Sequence, residues 1–217
     1  MLPIAEKDRR FWDKTAESYA ESPIADEDTY QKKLELTRKY LTPESEVFEF
    51  GCGTGSTAIL HAPHAKHILA TDVSENMLKI ARQRAEDADV KNITFKQAGI
   101  EDYDAGDREF DVVLGLNIIH LCKEPLAVMQ KVNSLLKPGG YFIQSTACLS
   151  SSMPYIRPVL PLMRLFGKAP HVSMFSSKKL RGYLPGAGFS IAEDFVPGGR
   201  SAEFIVAKKV ARISTGP

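Results

Sequence analysis

The sequence has few cysteines, almost no excess charge and no apolar run long enough to cross a membrane. Its 217 residues include three cysteines, Cys52, Cys122 and Cys148, which are scattered and lack the C-x-x-C spacing of a zinc or redox site. We therefore expect reduced thiols, as in a cytoplasmic protein. Lysine and arginine number 28 against 27 acidic residues, so the net charge favours neither a nucleic acid nor an anionic membrane as partner.

Neither a leader segment nor a membrane span is predicted. The first residues, "MLPIAEKDRRFWDK", carry charges where a signal peptide needs an apolar core. The most apolar long stretch, "MPYIRPVLPLMRLFG", is interrupted by three prolines and two arginines and is too short to cross a bilayer. We expect no stable membrane association.

Strand-like and helix-like segments alternate along the chain, as in α/β proteins. The strand-like segments are "EVFEF", "KHILATD", "NITFKQA", "FDVVLGLN", "YFIQST", "FSIAEDFV" and "AEFIVAKKV". The first and fourth lack polar alternation, which favours a parallel sheet covered on both faces. The last two are joined by "PGGR", which indicates a hairpin. We predict a three-layer sandwich around a Rossmann-like, mostly parallel seven-stranded sheet that ends in an antiparallel hairpin.

The helical segments and one insertion complete a single predicted domain, 1–217. An N-terminal helical cap is expected at about 5–41, with its second helix near 28–41. Ser74 should cap the helix "SENMLKIARQRAED", and "PGG" should end the helix "EPLAVMQKVNSLLK". The segment at about 147–175 is rich in Pro, Met and Leu. A segment of this length is usually a substrate cap, although a helix that merely covers the sheet edge is the alternative.

A glycine turn, "EFGCGTGS", follows the first predicted strand and opens a helix. In an open parallel sheet this is where nucleotide ligands bind. Asp72 follows Gly55 by 17 residues, at the end of the second strand, where a carboxylate can accept hydrogen bonds from an adenosine ribose. A nicotinamide dinucleotide uses the same two features, so they leave the ligand open.

Glu49 separates these two possibilities. It lies two residues before Gly51, so its carboxylate would repel the pyrophosphate that a dinucleotide brings to this turn. S-adenosylmethionine instead brings a sulfonium and an ammonium, which an adjacent acid favours. The alternative is that Glu49 only caps a backbone group in the loop.

Six segments together carry a family resemblance. They are "FWDKTAESYAESP", "VFEFGCGTGS", "ATDVSENMLKIAR", "FKQAGIEDYD", "FDVVLGLNIIHL" and "LLKPGGYFI", within about residues 10–146. In this order and spacing they resemble class I S-adenosylmethionine-dependent methyltransferases of the small-molecule type, related to the ubiquinone and menaquinone biosynthesis methyltransferases. The resemblance implies transfer of a methyl group from S-adenosylmethionine to a small acceptor, and the apolar residues of the insertion indicate that this acceptor is partly apolar.

The resemblance also implies a set of cofactor contacts. The glycine turn would hold the methionine portion, Asp72 the ribose, and the residues after the second and third strands the adenine. The full set is Tyr19, Glu49, Gly51, Cys52, Gly53, Thr54, Gly55, Asp72, Val73, Met77, Gly99, Ile100, Glu101, Asn117 and Ile118. For Met77 an ordinary core position is the alternative.

One position departs from the family pattern. Where relatives commonly read "QGDAED", this chain reads "QAGIED", so Gly99 replaces the Asp that usually accepts from the adenine amino group. We expect recognition there by the backbone of Ile100 or by Glu101, with Ile100 packing on the ring. The departure concerns cofactor affinity more than cofactor identity.

The acceptor site is predicted at the other end of the crevice. Tyr19, His120, Tyr155 and Arg157 are the candidate substrate contacts, and the apolar side chains of the insertion would form a roof, with Arg157 and Arg164 able to meet an anionic group. A membrane-touching amphipathic surface is the alternative use of that roof. His120 is also the best-placed candidate base, although it can equally shape the pocket without moving a proton. No catalytic base is assigned.

Other functional interpretations of the sequence have less support. His61, His64 and His67 are spaced three apart, but Pro63 interrupts them and no other ligand completes a metal set. The run "NIIH" lacks the Asn-Pro-Pro-aromatic pattern of enzymes that methylate nucleic-acid amines. A nucleotide-dependent dehydrogenase is disfavoured by Glu49, and a non-catalytic scaffold remains the other alternative. The acceptor, the attacked atom and the choice between monomer and homodimer stay open.

Overall fold

The computed structural model describes residues 4–152, 154–156, 158–196 and 202–210. The strands are β1 Glu46–Phe50, β2 His67–Asp72, β3 Ile93–Gln97, β4 Phe110–Leu116, β5 Leu136–Ala147, β6 Phe189–Phe195 and β7 Ala202–Lys209. The helices are α1 Ile4–Glu21, α2 Glu27–Arg38, α3 Ser56–His61, α4 Glu75–Asp87, α5 Pro125–Leu135, α6 Leu149–Ser152, α7 Leu160–Leu165 and α8 Ser177–Gly186. Short 3-10 turns occupy Ala62–His64, Ile119–Leu121 and Pro154–Ile156.

The seven strands form one sheet in the order β3-β2-β1-β4-β5-β7-β6. The pairs among β1 to β5 are parallel, whereas β7 runs antiparallel to both β5 and β6. This confirms the predicted sheet and its antiparallel ending. Because the strand order reverses between β1 and β4, a crevice opens at their carboxyl ends.

Helices cover both faces of the sheet, since its central strands are apolar on both sides. One face packs Phe48, Phe50 and Phe142 against α5 and α8. The opposite face packs Val47, Leu114 and other side chains against α2 and α3. Of β1, only Glu46 is not fully buried, as expected for the centre of a parallel sheet.

Two element boundaries differ from the prediction. Helix α5 ends at Leu135 and β5 begins at Leu136, so the "PGG" run lies inside the strand. Leu136 is already extended, with φ −87° and ψ 140°, and Lys137 precedes Pro138, which disfavours helix at Lys137. Helix α2 ends at Arg38 rather than near 41. The "PGGR" turn itself lies outside the described residues.

Serine side chains cap two of the helices. Ser74 caps α4 as predicted, because its side chain accepts a hydrogen bond from the Met77 amide. Ser176 caps α8 in the same way through the Lys179 amide. Within the described ranges no helix has the length and apolarity to cross a membrane.

Candidate functional site

The glycine turn between β1 and α3 is built from left-handed backbone. Gly51, Gly53 and Gly55 have φ angles of 66°, 55° and 75°, a region that other residues adopt only with strain. A Cβ on Gly51 would lie 2.6 Å from the Ile118 side chain, so the turn packs directly on the end of β4. The Cys52 amide donates to the Thr71 carbonyl over 2.9 Å and ties the turn to β2.

Asp72 lies at the end of β2 and holds the turn from the side. Its Oδ2 accepts from the Gly53 amide and its Oδ1 from the Ser74 amide, each over 2.9 Å. Burial raises the pKa of this carboxyl, while the hydrogen bonds from Ser74 and Gly53 act against that rise. The predicted ribose-binding acid is therefore next to the turn in space, as the motif requires.

Glu49 is buried in the centre of the sheet directly below the turn. It pairs with Ala70 of β2 and Leu114 of β4 in register, and it is 2% exposed. Its Oε2 has no hydrogen-bond partner among the described residues, so no loop amide is capped at that oxygen. Burial, followed by the charge of Asp72, raises the pKa of Glu49 to about 8. Two acids thus share one poorly solvated site that holds no compensating hydrogen bond at Oε2.

Helix α1 lies across the glycine turn and carries Tyr19 to it. The Tyr19 ring would be 3.7 Å from a Cβ on Gly53, and it packs edge-on against Trp12. Although half of the Tyr19 side chain is exposed, burial and the charge of Asp72 raise the pKa of its hydroxyl. This is the contact predicted for an aromatic that closes over the site.

Two side chains that hold α1 in place were missed by the sequence analysis. Arg84 of α4 donates to Thr54 Oγ1 over 2.8 Å and to the Ala20 carbonyl over 2.8 Å. Asp13 of α1 accepts from Ser74 Oγ over 2.7 Å. Together they fasten the helix to the glycine turn and to the start of α4. Asp13 lies within the quoted segment "FWDKTAESYAESP" and Arg84 just beyond "ATDVSENMLKIAR", but neither pattern indicated that these side chains join two elements.

The predicted adenine side of the site contains carboxylates but no Asp at position 99. A Cβ on Gly99 would lie 3.8 Å from Glu101 Oε2 and 3.9 Å from Asp102 Oδ2. Two carboxylates therefore lie close to position 99, which carries no acid itself. Val73 lies 3.4 Å from the same point. Ile100 is 5% exposed and packs into the core. Met77 is buried too, at 2% exposed.

The ends of β4 and β5 form the other half of the crevice. Asn117 has a left-handed φ of 57°, which is uncommon for a residue other than glycine and is typical of functional sites. Its amide donates to the Ser145 carbonyl over 2.7 Å, and Ser145 Oγ donates to Asn117 Oδ1 over 3.2 Å. Lys33 of α2 donates to the same Ser145 hydroxyl over 2.9 Å. No pattern in the sequence indicated a role for Lys33.

His120 lies in the 3-10 turn that follows β4 and Asn117. Its Nδ1 is buried without a hydrogen-bond partner in the described part of the chain, and burial lowers the pKa of the ring to about 4. The imidazole is therefore neutral at physiological pH and is a weaker proton acceptor than an ordinary histidine. Its carbonyl accepts from the Ser173 amide over 2.7 Å, which connects this turn to the insertion.

The insertion is fastened to α1 by Arg164. Arg164 donates to Asp8 over 3.3 Å and contacts His171 Nδ1 over 3.0 Å, so it is paired within the protein rather than left to meet an acceptor. Tyr155 is 70% exposed, and Arg157 lies outside the described residues. The large apolar side chains of the insertion that are mostly exposed are Tyr155, Leu162, Leu165 and Phe166.

The three spaced histidines occupy different environments. His61 is fully buried, and burial lowers its pKa to about 3. His67 contacts Thr94 Oγ1 over 2.9 Å, whereas His64 is exposed. No cluster of histidine, cysteine or acidic side chains suited to a metal occurs within the residues described. All three cysteines are free thiols.

Comparison with known proteins links this geometry to one family. Residues 41–174, more than half of the chain, match the model of a family described as a methyltransferase domain. The demethylmenaquinone methyltransferase of Symbiobacterium thermophilum is 29% identical over 158 residues, covering 69% of this chain and 61% of that protein. The chain therefore spans less than two thirds of that relative's length.

Solved structures share the fold at low sequence identity. The (4+2)-cyclase SpnF superposes with a TM-score of 0.79 at 15% identity, covering 97% of this chain and 98% of that one. Magnesium protoporphyrin IX methyltransferase ChlM from Synechocystis PCC 6803, solved with bound SAM, gives a TM-score of 0.72 at 18% identity, covering 96% and 98%. At these identities the likeness concerns the fold alone.

Proposed function

The chain belongs to the methyltransferase-domain family, and we propose that it transfers a methyl group from S-adenosylmethionine to a small, partly apolar acceptor. The observation that carries the proposal is the pair of buried acids at the glycine turn. Glu49 Oε2 lacks a partner in the described residues, and burial, followed by the negative charge of Asp72, raises the pKa of Glu49. Such a pair favours a ligand that carries positive charge.

The same pair argues against a dinucleotide cofactor. A pyrophosphate at this turn would add negative charge beside Glu49 and Asp72 in a poorly solvated site, where Coulomb repulsion is large. S-adenosylmethionine carries a sulfonium and an ammonium instead. This difference favours the methyltransferase over the dehydrogenase reading, even though both use a glycine turn on a parallel sheet.

In the proposed complex, different residues of the chain contact different parts of the ligand. The glycine turn and Glu49 hold the methionine portion, and Asp72 accepts from the ribose hydroxyls. The carboxylates near Gly99 take the adenine amino group in place of the missing Asp, with Glu101 and Asp102 as the candidates. Tyr19 covers the turn, and Asn117 with Ile118 forms the floor beneath the methionine end.

The protein's contribution to the chemistry is positioning and exclusion of water. When bound, S-adenosylmethionine supplies a methyl carbon already activated by the adjacent sulfonium. The chain then has to hold the acceptor atom close and in line, in a site from which water is removed. Neutral His120 can accept a hydrogen bond from an acceptor hydroxyl, but its pKa of about 4 makes it a weak general base.

The insertion supports a partly apolar acceptor. Leu162, Leu165 and Phe166 are exposed beside the half-buried Met163, and a group of exposed apolar side chains is typical of binding surfaces. The hydrogen bond from the Ser173 amide to the His120 carbonyl joins the insertion to the acceptor end of the crevice. We propose that this segment is the substrate cap, and that the enzyme works in the cytoplasm.

The fold alone does not identify the reaction, because the structural neighbour SpnF, which shares this fold, is named as a cyclase. The test therefore begins with the cofactor and ends with the product. Calorimetry should show micromolar binding of S-adenosylmethionine and S-adenosylhomocysteine and none of NAD. Asp72→Ala should weaken that binding by about 1–3 kcal/mol, the effect of removing a charged hydrogen-bond acceptor.

Asp107→Ala, the same substitution at an exposed loop residue, is the matched control and should bind like the wild type. S-adenosylhomocysteine release during an acceptor screen then distinguishes a methyltransferase from a protein that only binds the cofactor. If neither adenosyl ligand binds, the non-catalytic scaffold reading replaces the enzyme. NAD binding that depends on Asp72 would support the dehydrogenase.

A further inference from the structure

Lys33 on the N-terminal cap is hydrogen-bonded to a hydroxyl rather than to an acid within the described residues. Its Nζ donates to the Ser145 hydroxyl over 2.9 Å, and it forms no ion pair in the portion of the chain that the structure describes. Burial lowers the pKa of its ammonium, while the charge of Asp26 acts in the opposite direction. The cation is thus held against a neutral, fully buried serine.

Lys33 is half-buried, so its ammonium has lost part of its hydration and is stabilised when an anion joins it. Moving a charged group out of water has a large cost, which an ion pair or strong hydrogen bonds must offset. A neutral hydroxyl offsets only part of that cost. The place beside Lys33 and Ser145 therefore favours a ligand with an anionic oxygen.

The hydrogen bonds show which half of the crevice this place belongs to. Ser145 also donates to Asn117 Oδ1, so Lys33 is two hydrogen bonds away from the end of β4. In the sheet order β4 lies between β1 and β5, which puts Ser145 about 10 Å from the glycine-turn strand at the usual strand spacing. Lys33 therefore lies beyond the proposed methionine site, at the β5 side of the crevice, where the acceptor is proposed to bind.

We propose that Lys33 binds an anionic oxygen of the methyl acceptor, so that the acceptor is a phenolate, an enolate or a carboxylate. This inference rests on the proposed methyltransferase function and narrows its substrate class. Ser145 and the left-handed Asn117 hold the ammonium in place. An acceptor of this kind is recognised through its charge at one end and through apolar contacts elsewhere.

Three nitroaromatic probes of similar size test the proposal. Wild-type protein saturated with S-adenosylhomocysteine is titrated at alkaline pH with 4-nitrophenolate, 4-nitrobenzoate and neutral nitrobenzene. At least one anion should bind about tenfold or more tightly than nitrobenzene, as expected for a charge-assisted hydrogen bond. Binding of 4-nitrophenolate alone indicates a phenol or enol acceptor, and binding of 4-nitrobenzoate alone indicates a carboxylic acid.

Substitutions test whether the preference for the anionic probes depends on Lys33. Lys33→Met should remove the preference for the anions, and Lys33→Arg should keep part of it. Lys32→Met is the matched control, because Lys32 is the exposed neighbour whose Nζ lies 4.5 Å from the Phe195 ring centroid. All three variants should bind S-adenosylhomocysteine like the wild type.

Several outcomes would overturn the proposal. Equal binding of the three probes, no binding of any, or an anion preference that survives Lys33→Met each removes the role in acceptor binding. A loss of S-adenosylhomocysteine affinity in Lys33→Met would reassign Lys33 to the cofactor. Failure of the wild type to bind S-adenosylhomocysteine is a separate result that refutes the proposed function itself.

Discussion

The two halves of the crevice carry opposite charge. At the ends of β1 and β2, Glu49 and Asp72 place two buried carboxyls beside the glycine turn. At the ends of β4 and β5, Lys33 and neutral His120 lie around Asn117 and Ser145. The acidic half suits a cationic cofactor, whereas the basic half suits an anionic acceptor.

The two halves also differ in how the chain assembles them. Glu49 and the glycine turn are contiguous, and Asp72 follows on the adjacent strand, so one β-α-β unit builds the acidic half. The basic half joins Lys33 to Ser145 across 112 residues of sequence. A locally encoded site suits a cofactor shared by many enzymes, while a site assembled from distant segments can vary with the acceptor.

The largest effect is expected from a substitution at Gly51, where the glycine turn of the acidic half packs against Ile118 after β4. Gly51→Ala forces a left-handed backbone on alanine, at about 1–3 kcal/mol. Its Cβ would also lie 2.6 Å from Ile118, which adds about 1–3 kcal/mol of overpacking. Denaturant unfolding should show the summed loss of stability, and calorimetry should show loss of S-adenosylmethionine binding.

Gly106→Ala is the control for the backbone term. Gly106 has a similar φ of 57°, but nothing lies within 4 Å of an added Cβ. The Gly106→Ala variant should therefore lose only the part of the stability that backbone strain removes, and it should keep cofactor binding. Equal loss of stability in both variants would show that Ile118 does not restrict the turn.

An intermediate effect is expected from the charge of Glu49, and it depends on pH. A cationic ligand favours ionised Glu49, whose pKa in the free protein is about 8. Binding below that pH releases a proton, so S-adenosylmethionine affinity should rise with pH, by at most about tenfold per unit, and level off above about 8. Glu49→Gln should remove this contribution to the slope.

The unfolding free energy should change in the opposite direction. Because folding raises the pKa of Glu49 from 4.5 to about 8, its contribution to stability is complete below about 4.5 and is lost as pH rises through about 8. Glu46→Gln on the same strand, at its partly exposed end, is the control and should keep the wild-type slopes. A Glu49→Gln variant with an unchanged affinity profile would contradict a cationic ligand at this acid.

The smallest effect should follow from loosening α1. Arg84→Met removes the hydrogen bonds to Thr54, Ser56 and the Ala20 carbonyl, at about 1 kcal/mol of global stability. Amide exchange at the end of α1 near Tyr19 should become faster, because the helix is no longer held to the turn. Arg82→Met on the same helix removes only the exposed pair with Glu75 and should leave that exchange unchanged.

The acidic half could be predicted from the sequence and the basic half mostly could not. The glycine turn, Asp72 and the Ser74 cap depend on neighbouring residues and on one strand–helix–strand unit, which local patterns describe. Arg84 and Lys33 act only because α1 and α2 dock on distant elements. The start of β5 was misplaced because Leu136 lies in extended backbone, although the apolar pattern of α5 continues through it.

The most direct test of the account is a crystal structure with S-adenosylhomocysteine. The ribose hydroxyls should lie within hydrogen-bonding distance of Asp72, and the ligand ammonium should lie next to Glu49. No atom of the bound ligand should contact Lys33 or Ser145, which are proposed to bind the acceptor. A ligand bound elsewhere, or one whose carboxylate rather than ammonium lies at Glu49, would contradict the assignment of the acidic half to a cationic cofactor.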